Sequence, residues 1–139
     1  MSKTFKLQLV APDRPSIHQE VTVLNLPGGA GEFGVMAGHM SLLSTLRPGT
    51  LRVTNGHEKE LYFIAGGFAE VNASSVIVLA EEYVKANEID VEEAKKVKKQ
   101  SQDLLAEKKE GTDLKAAQLA LARAEARLKA FEEAKNLKK

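Results

Sequence analysis

Length, composition and charge already confine this chain: 139 residues, 43% hydrophobic and 28% charged, suit one globular core or a small domain with an appendage. The absence of cysteine excludes disulfides, thiolate nucleophiles and cysteine-ligated metal centres. A formal net charge of +1 removes the field that nonspecific nucleic-acid binding needs, so no nucleic-acid partner is expected.

The start, MSKTFKLQLV, lacks a secretory apolar run, and no stretch reaches the roughly 18 apolar residues of a membrane span. A cytosolic chain, or one peripheral to a membrane, is expected. Phe5, Leu7 and Leu9 alternate along a first strand, and Val21 and Val23 are expected to share one face of another. Asn55-Gly56, between TLRVT and ELYFIA, reads as a tight hairpin turn with positive φ at both central residues. A further hairpin is expected at NASS, 72–75. Short, evenly spaced strands without intervening helical periods argue for an antiparallel sandwich or barrel.

The composition breaks near residue 87, before which lie all four prolines, nine of the ten glycines and six of the seven aromatics. Beyond it, Asp90 can cap a helix, with Glu93 reaching back, and Gly111 is expected to stop that helix. Thr112 or Asp113 then caps a second helix, whose Leu114, Ala117, Leu121, Ala124, Leu128 and Phe131 form a heptad seam. Val91, Ala94, Val97, Ser101 and Leu104 or Leu105 supply the partner stripe. The short linker makes the helices antiparallel. The reading is therefore α+β: an N-terminal antiparallel β-sandwich, 1–87, followed by a C-terminal antiparallel two-helix hairpin, 88–139. Its alanine seam buries little area, which makes the hairpin marginal and able to change its packing without losing its helices.

Several motifs invite chemistry. Gly29-Ala30-Gly31-Glu32-Phe33-Gly34 spells the G-x-G-x-x-G dinucleotide fingerprint, but no helix and no βαβ unit follow it. Its glycines are expected to serve turns and close backbone approach. His18, His39 and His57 have no histidine partner at helical spacing, so no metal site is expected. His39 with Ser41 and Ser44 lacks both the nucleophile elbow and an orienting acid. In KKVKKQ, 95–100, Glu92 precedes Lys96 by four and Lys99 precedes Asp103 by four, the spacing of a salt-bridged helix face. Arg123 and Arg127 lie one turn apart and can act together on a phosphate or a carboxylate cluster.

Taken in order, GEFGVMAGHMSLLSTLRPGTL at 31–51, IAGGFAEV, VIVLAEE and a terminal helical hairpin resemble the epsilon subunit of F-type, rotary ATP synthases over essentially the whole chain. The resemblance implies a central-stalk rotor subunit without catalytic residues or a cofactor. Its sandwich would bind the gamma subunit and the c-subunit ring, coupling proton-driven rotation to ATP synthesis in the hexamer of alpha and beta subunits. It also implies a peripheral position on the cytoplasmic face of a bacterial plasma membrane, without membrane insertion.

Carried onto this sequence, the resemblance turns Gly31, Glu32 and His39 toward the rotor ring and stalk. In the family the hairpin folds against the sandwich or extends into the hexamer and blocks hydrolysis, where Lys115, Arg123, Arg127 and Lys129 would meet acidic loops. Some members bind ATP through an I/L-D-x-x-R-A motif. Asp90, Arg123 and Arg127 match that site, but Glu93 replaces the motif arginine and Gln100 stands where another basic residue is expected, so ATP binding should be weak or absent. Two other readings compete: a nucleotide-dependent enzyme built on the glycine loop, and an unrelated adaptor joining a sandwich to a coiled coil.

Overall fold

Alternating burial sets the register of the first half. The computed structural model describes residues 3–137. In β1 (Phe5–Ala11), Phe5, Leu7, Leu9 and Ala11 all point inward, the two-residue period expected of a half-buried strand. β2 (Arg14–Val21) pairs only with β1, and as an edge strand it tolerates Pro15, which has no N–H to donate. Val21 and Val23 do not share a strand: the chain breaks at Thr22, whose N–H donates to the Thr54 carbonyl at 2.7 Å, and β3 (Val23–Gly28) starts anew. Val21 is fully buried and Val23 only half-buried, because the break uncouples their faces.

There follow β4 (Gly31–Met36), β5 (Leu42–Leu46), β6 (Gly49–Asn55), β7 (Glu58–Ile64), β8 (Gly67–Val71), β9 (Ser75–Ala80) and β10 (Tyr83–Lys85). One continuous sheet in the order β10-β7-β6-β3-β5-β8-β9-β1-β2, with β4 on β3, folds over at the single β3–β5 pair Gly28–Leu46. Its two layers enclose a core that includes Leu7, Leu9, Leu24, Leu26, Leu51, Ile64, Val76 and Val78. The sandwich is antiparallel apart from β1 beside β9, which run parallel. Those two strands are joined through most of the sandwich, so no tight turn dictates their direction.

The Asn72-to-Ser75 turn joins β8 to β9 as expected. The other expected turn sits one residue later: Asn55 pairs with Glu58 inside the ladder, and Gly56-His57 make the turn. Of these, Gly56 alone has positive φ, at 63°. Pairing of Asn55 keeps it extended and moves the conformational demand onto glycine.

After a 3-10 turn at Ala86–Glu88 come α1 (Val91–Glu107) and α2 (Leu114–Leu137). Asp90 caps α1, accepting from the Glu93 N–H at 3.1 Å, and Asp113 caps α2 through the Ala116 N–H at 3.0 Å. Helix α1 ends before Gly111, at Lys108, which itself takes the left-handed conformation with φ 50°. Gly111 serves the linker instead. Ala94 and Ser101 of α1 and Ala117 and Ala124 of α2 are buried along the seam, with Val97, Leu105, Leu121 and Leu128 half-buried beside them. Glu92–Lys96 and Lys99–Asp103 close no ion pairs among the described residues, so that face of α1 is solvated without bridges.

Candidate functional site

A 24-residue helix is about 36 Å long and α1, at 17 residues, about 26 Å, so the last turns of α2 outrun their helical partner. They lie on the sandwich. Ala126, Ala130 and Ala134, spaced by four, place small side chains against Leu61, Phe63, Ala65, Ala86 and Ile89, and Phe131 closes the cluster. Alanine lets the helix approach the sheet closely but contributes little area, so apolar burial alone holds it weakly.

Three arginines reinforce the contact. Arg123 donates from Nε to the Ala65 carbonyl at 3.2 Å and pairs with Glu81. Arg127 pairs with Glu82 at 2.5 Å, and its guanidinium lies 4.6 Å from the Phe63 ring centroid. From the sandwich side, Arg52 on β6 reaches up to α2 and grips Glu133 with two bonds, Nε to Oε2 at 2.6 Å and Nη2 to Oε1 at 2.7 Å. The remaining Nη1 pairs with Glu32. Bidentate, charge-assisted geometry of this kind is the strongest an exposed pair offers. Hydrogen bonding to Arg52 holds the Glu133 carboxyl below the ordinary glutamate range, against the partial burial that pushes it up. The same bond raises the Arg52 guanidinium further, again opposed by desolvation.

On the other flank of α2 lies a cleft of about 590 Å³ between the start of α1 and the 81–84 segment. Six carboxylates line it, from Asp13, Glu81, Glu82, Glu88, Asp90 and Glu93, against the two cations Arg14 and Arg127. Asp90 and Arg127 therefore do meet here, together with the Glu93 that stands in the arginine position, whereas Arg123 lies outside the lining and Asp90 is occupied in capping α1. Among the described residues, no group of three or more His, Asp or Glu is placed to hold a metal ion.

Gly31, Glu32 and His39 are not one patch. Gly31 and Glu32 begin β4 beside the turn whose Gly29 N–H bonds the Thr45 carbonyl; His39 lies beyond the far end of that strand, where the Gly38 N–H bonds the Ala73 carbonyl. Glu32 already has a partner in Arg52, and His39 Nδ1 lies 2.8 Å from the Met40 carbonyl. Lys115 and Lys129 are exposed and make no ion pair among the described residues. Sequence reading missed Arg52, Glu133 and the sandwich-facing alanines. The i, i+4 run of Ala126, Ala130 and Ala134 carried a legible signal; the Arg52–Glu133 pair spans 81 residues and carried none.

A sandwich bearing a helical hairpin, docked through alanines and exposed ion pairs, defines a two-part sandwich-and-hairpin protein. Comparison with known proteins narrows the class. The model of the ATP synthase delta/epsilon chain β-sandwich domain matches residues 4–86, and that of the long α-helix domain of the same chains matches 87–132. The ATP synthase epsilon chain of Nitratidesulfovibrio vulgaris is 40% identical over 129 residues, 93% of this chain and 96% of that one. That of Desulforamulus reducens is 37% identical over 132 residues, 95% of this chain and all of that one. Among solved structures, a chain from the Euglena gracilis mitochondrial ATP synthase complex of OSCP, F1 and c-ring superposes with a TM-score of 0.81 at 31% identity, covering 91% of this chain and 80% of that one. A chain from the Tetrahymena thermophila mitochondrial ATP synthase central stalk and c-ring shares the fold, with a TM-score of 0.59 at 12% identity over 94% of this chain and 98% of that one.

The chain belongs to the family of F-type ATP synthase epsilon chains. It is a non-catalytic stalk subunit, and both the nucleotide-enzyme and the unrelated-adaptor readings fall. No described helix is long and apolar enough to cross a membrane.

Proposed function

We propose that this chain is a rotor subunit of the central stalk in a proton-translocating ATP synthase. The sandwich segment, 1–87, seats on the gamma subunit and the c-subunit ring and transmits rotation, while the hairpin segment, 88–139, restrains ATP hydrolysis by the alpha and beta subunits. Residues 1–2 and 138–139 of these segments lie outside the described residues. The complex sits on the cytoplasmic face of a bacterial plasma membrane, which this chain reaches only through the ring.

An exposed apolar face supports the stalk contact. Phe68 and Leu79, side by side on β8 and β9, are each 53% exposed, and Leu43 on neighbouring β5 is 72% exposed. A surface of this kind fits a protein partner, and gamma is its occupant in this reading. His39, next to the exposed Met40, belongs to the gamma side, whereas Gly31 and Glu32 at the opposite end of β4 belong to the ring side.

The regulatory reading rests on one observation: α2 is held by alanines and by carboxylates that another acidic surface can replace. On extension, Arg123 and Arg127 exchange Glu81 and Glu82 for acidic loops of the catalytic subunits, and Lys115 and Lys129 join them. Neither a cofactor nor regulatory ATP is assigned, since the carboxylate-lined cleft disfavours a polyphosphate. The test is ATP hydrolysis by the reconstituted catalytic complex with the full chain and with residues 88–139 removed. Faster hydrolysis after removal is expected; equal rates overturn the inhibitory role and leave the rotor role standing.

A further inference from the structure

Among the described residues, Arg52 is the one guanidinium in the hairpin contact that faces two carboxylates on different elements, Glu133 of the docked helix and Glu32 of the β3–β4 hairpin. Its five N–H donors are shared out: Nε and Nη2 serve Glu133, and Nη1 serves Glu32. The side chains are 31% exposed for Arg52, 36% for Glu133 and 50% for Glu32, so the outermost member, Glu32, is the one an external group can reach.

We infer that Arg52 is a shared latch through which the occupancy of Glu32 sets how tightly the C-terminal helix stays docked. The inference rests on the proposal that the hairpin undocks, and adds a control on that step. When α2 lifts away, Arg52 loses both bonds to Glu133 and keeps only Glu32. Glu32 therefore stabilises the undocked state, by neutralising an arginine that would otherwise be left without a charged partner, more than it stabilises the docked state, where Glu133 already serves. In the docked state Glu32 also adds a second negative charge near Glu133, and like charges at one site repel. A cation that draws Glu32 away removes both effects and tightens docking. The chemical class of that effector is a lysine or arginine side chain presented by whatever partner sits at the Gly28-to-Gly31 turn.

The cleft around the latch also contains Arg47, Glu125 and Lys129. None of these bonds to Arg52 or Glu133, so they are a background common to every variant below.

The test uses the full chain, which has no native cysteine to interfere with labelling. Donor and acceptor dyes go on cysteines introduced at the exposed positions Glu58 and Asn136, and the docking equilibrium is followed through a urea titration by energy transfer. Glu133→Gln should weaken docking about fivefold and Glu32→Gln strengthen it about twofold, the range of a part-exposed charged pair. In a Glu133→Gln background, Glu32→Gln should have no effect, because both of its influences act on Glu133. A Glu32→Gln effect that survives in that background overturns the coupling, and an unchanged equilibrium in Glu133→Gln or in Arg52→Gln overturns the latch. These outcomes are separate from the hydrolysis assay: the latch can fail while hairpin removal still speeds hydrolysis, and the inhibitory reading can fail while the free chain still shows the cycle.

Discussion

At Glu133 the hydrogen bonds from Arg52 stabilise the carboxylate, so the docked helix binds a proton there less readily than the undocked one. The sign follows from linkage. The contribution to docking is complete above the ordinary glutamate value of about 4.3 and is lost as the pH falls through the lower docked value. Glu32, Glu125, Arg47 and Lys129 share that cleft. Docking of the full chain should therefore weaken as the pH falls below about 4, and the acid-dependent part of the energy-transfer change should shrink in Glu133→Gln. At Gly67 the argument is steric. Its φ is 147°, and an added Cβ would stand 2.0 Å from the Leu79 carbonyl oxygen, which belongs to backbone and cannot swing aside. Gly67→Ala should cost about 3 kcal/mol of stability in a denaturant titration, through strain and displacement of β9.

Among the elements, α2 has two apolar stripes. Of the expected heptad seam, Ala117 to Leu128 pairs it with α1, whereas Leu114 is exposed and Phe131 turns to the sandwich; the Ala126, Ala130, Ala134 row pairs it with β7 and the 86–89 segment. The seam was readable because its three-four spacing stands out from charged neighbours. The second row was equally visible as letters, but a lone helix gives no reason to prefer one alanine face over another until a sheet lies beneath it. Ala130 is fully buried there. Ala130→Leu forces a larger side chain into a full site and should weaken docking by about 1–3 kcal/mol, with helix content by circular dichroism unchanged. Ala116→Leu, on the exposed face, should leave docking as it was. The β6–β7 hairpin makes a related point: Asn55-Gly56 correctly announced a turn, but the ladder absorbed Asn55 and moved the turn by one residue.

For the molecule as a whole, the docked hairpin keeps two of its cations on the sandwich's own carboxylates while leaving Lys115 and Lys129 solvated. It also frames the 590 Å³ cleft in which six carboxylates outnumber two arginines. A polyphosphate entering that cleft meets net negative charge. Calorimetric titration of the full chain with ATP should therefore show no micromolar binding, and Glu93→Arg, which reverses one charge in the lining, should raise the affinity. A micromolar affinity in the unaltered chain would sink this reading.

What the sequence determined by itself is everything carried by local period and local chemistry. That covers the composition break near residue 87, the alternation of Phe5, Leu7 and Leu9, the cap Asp90, a second cap narrowed to Thr112 or Asp113, most of the heptad seam and the ordered motifs of the epsilon family. These are legible because a strand repeats every two residues, a helix every 3.6, and a cap needs an acceptor at one position. Tertiary structure alone decided the parallel β1–β9 pair, the separation of Glu32 from His39, the face of α2 that meets the sheet, and the grip of Arg52 on Glu133 across 81 residues. Such pairings depend on which surfaces meet once the chain has closed on itself, and no spacing along the chain encodes them.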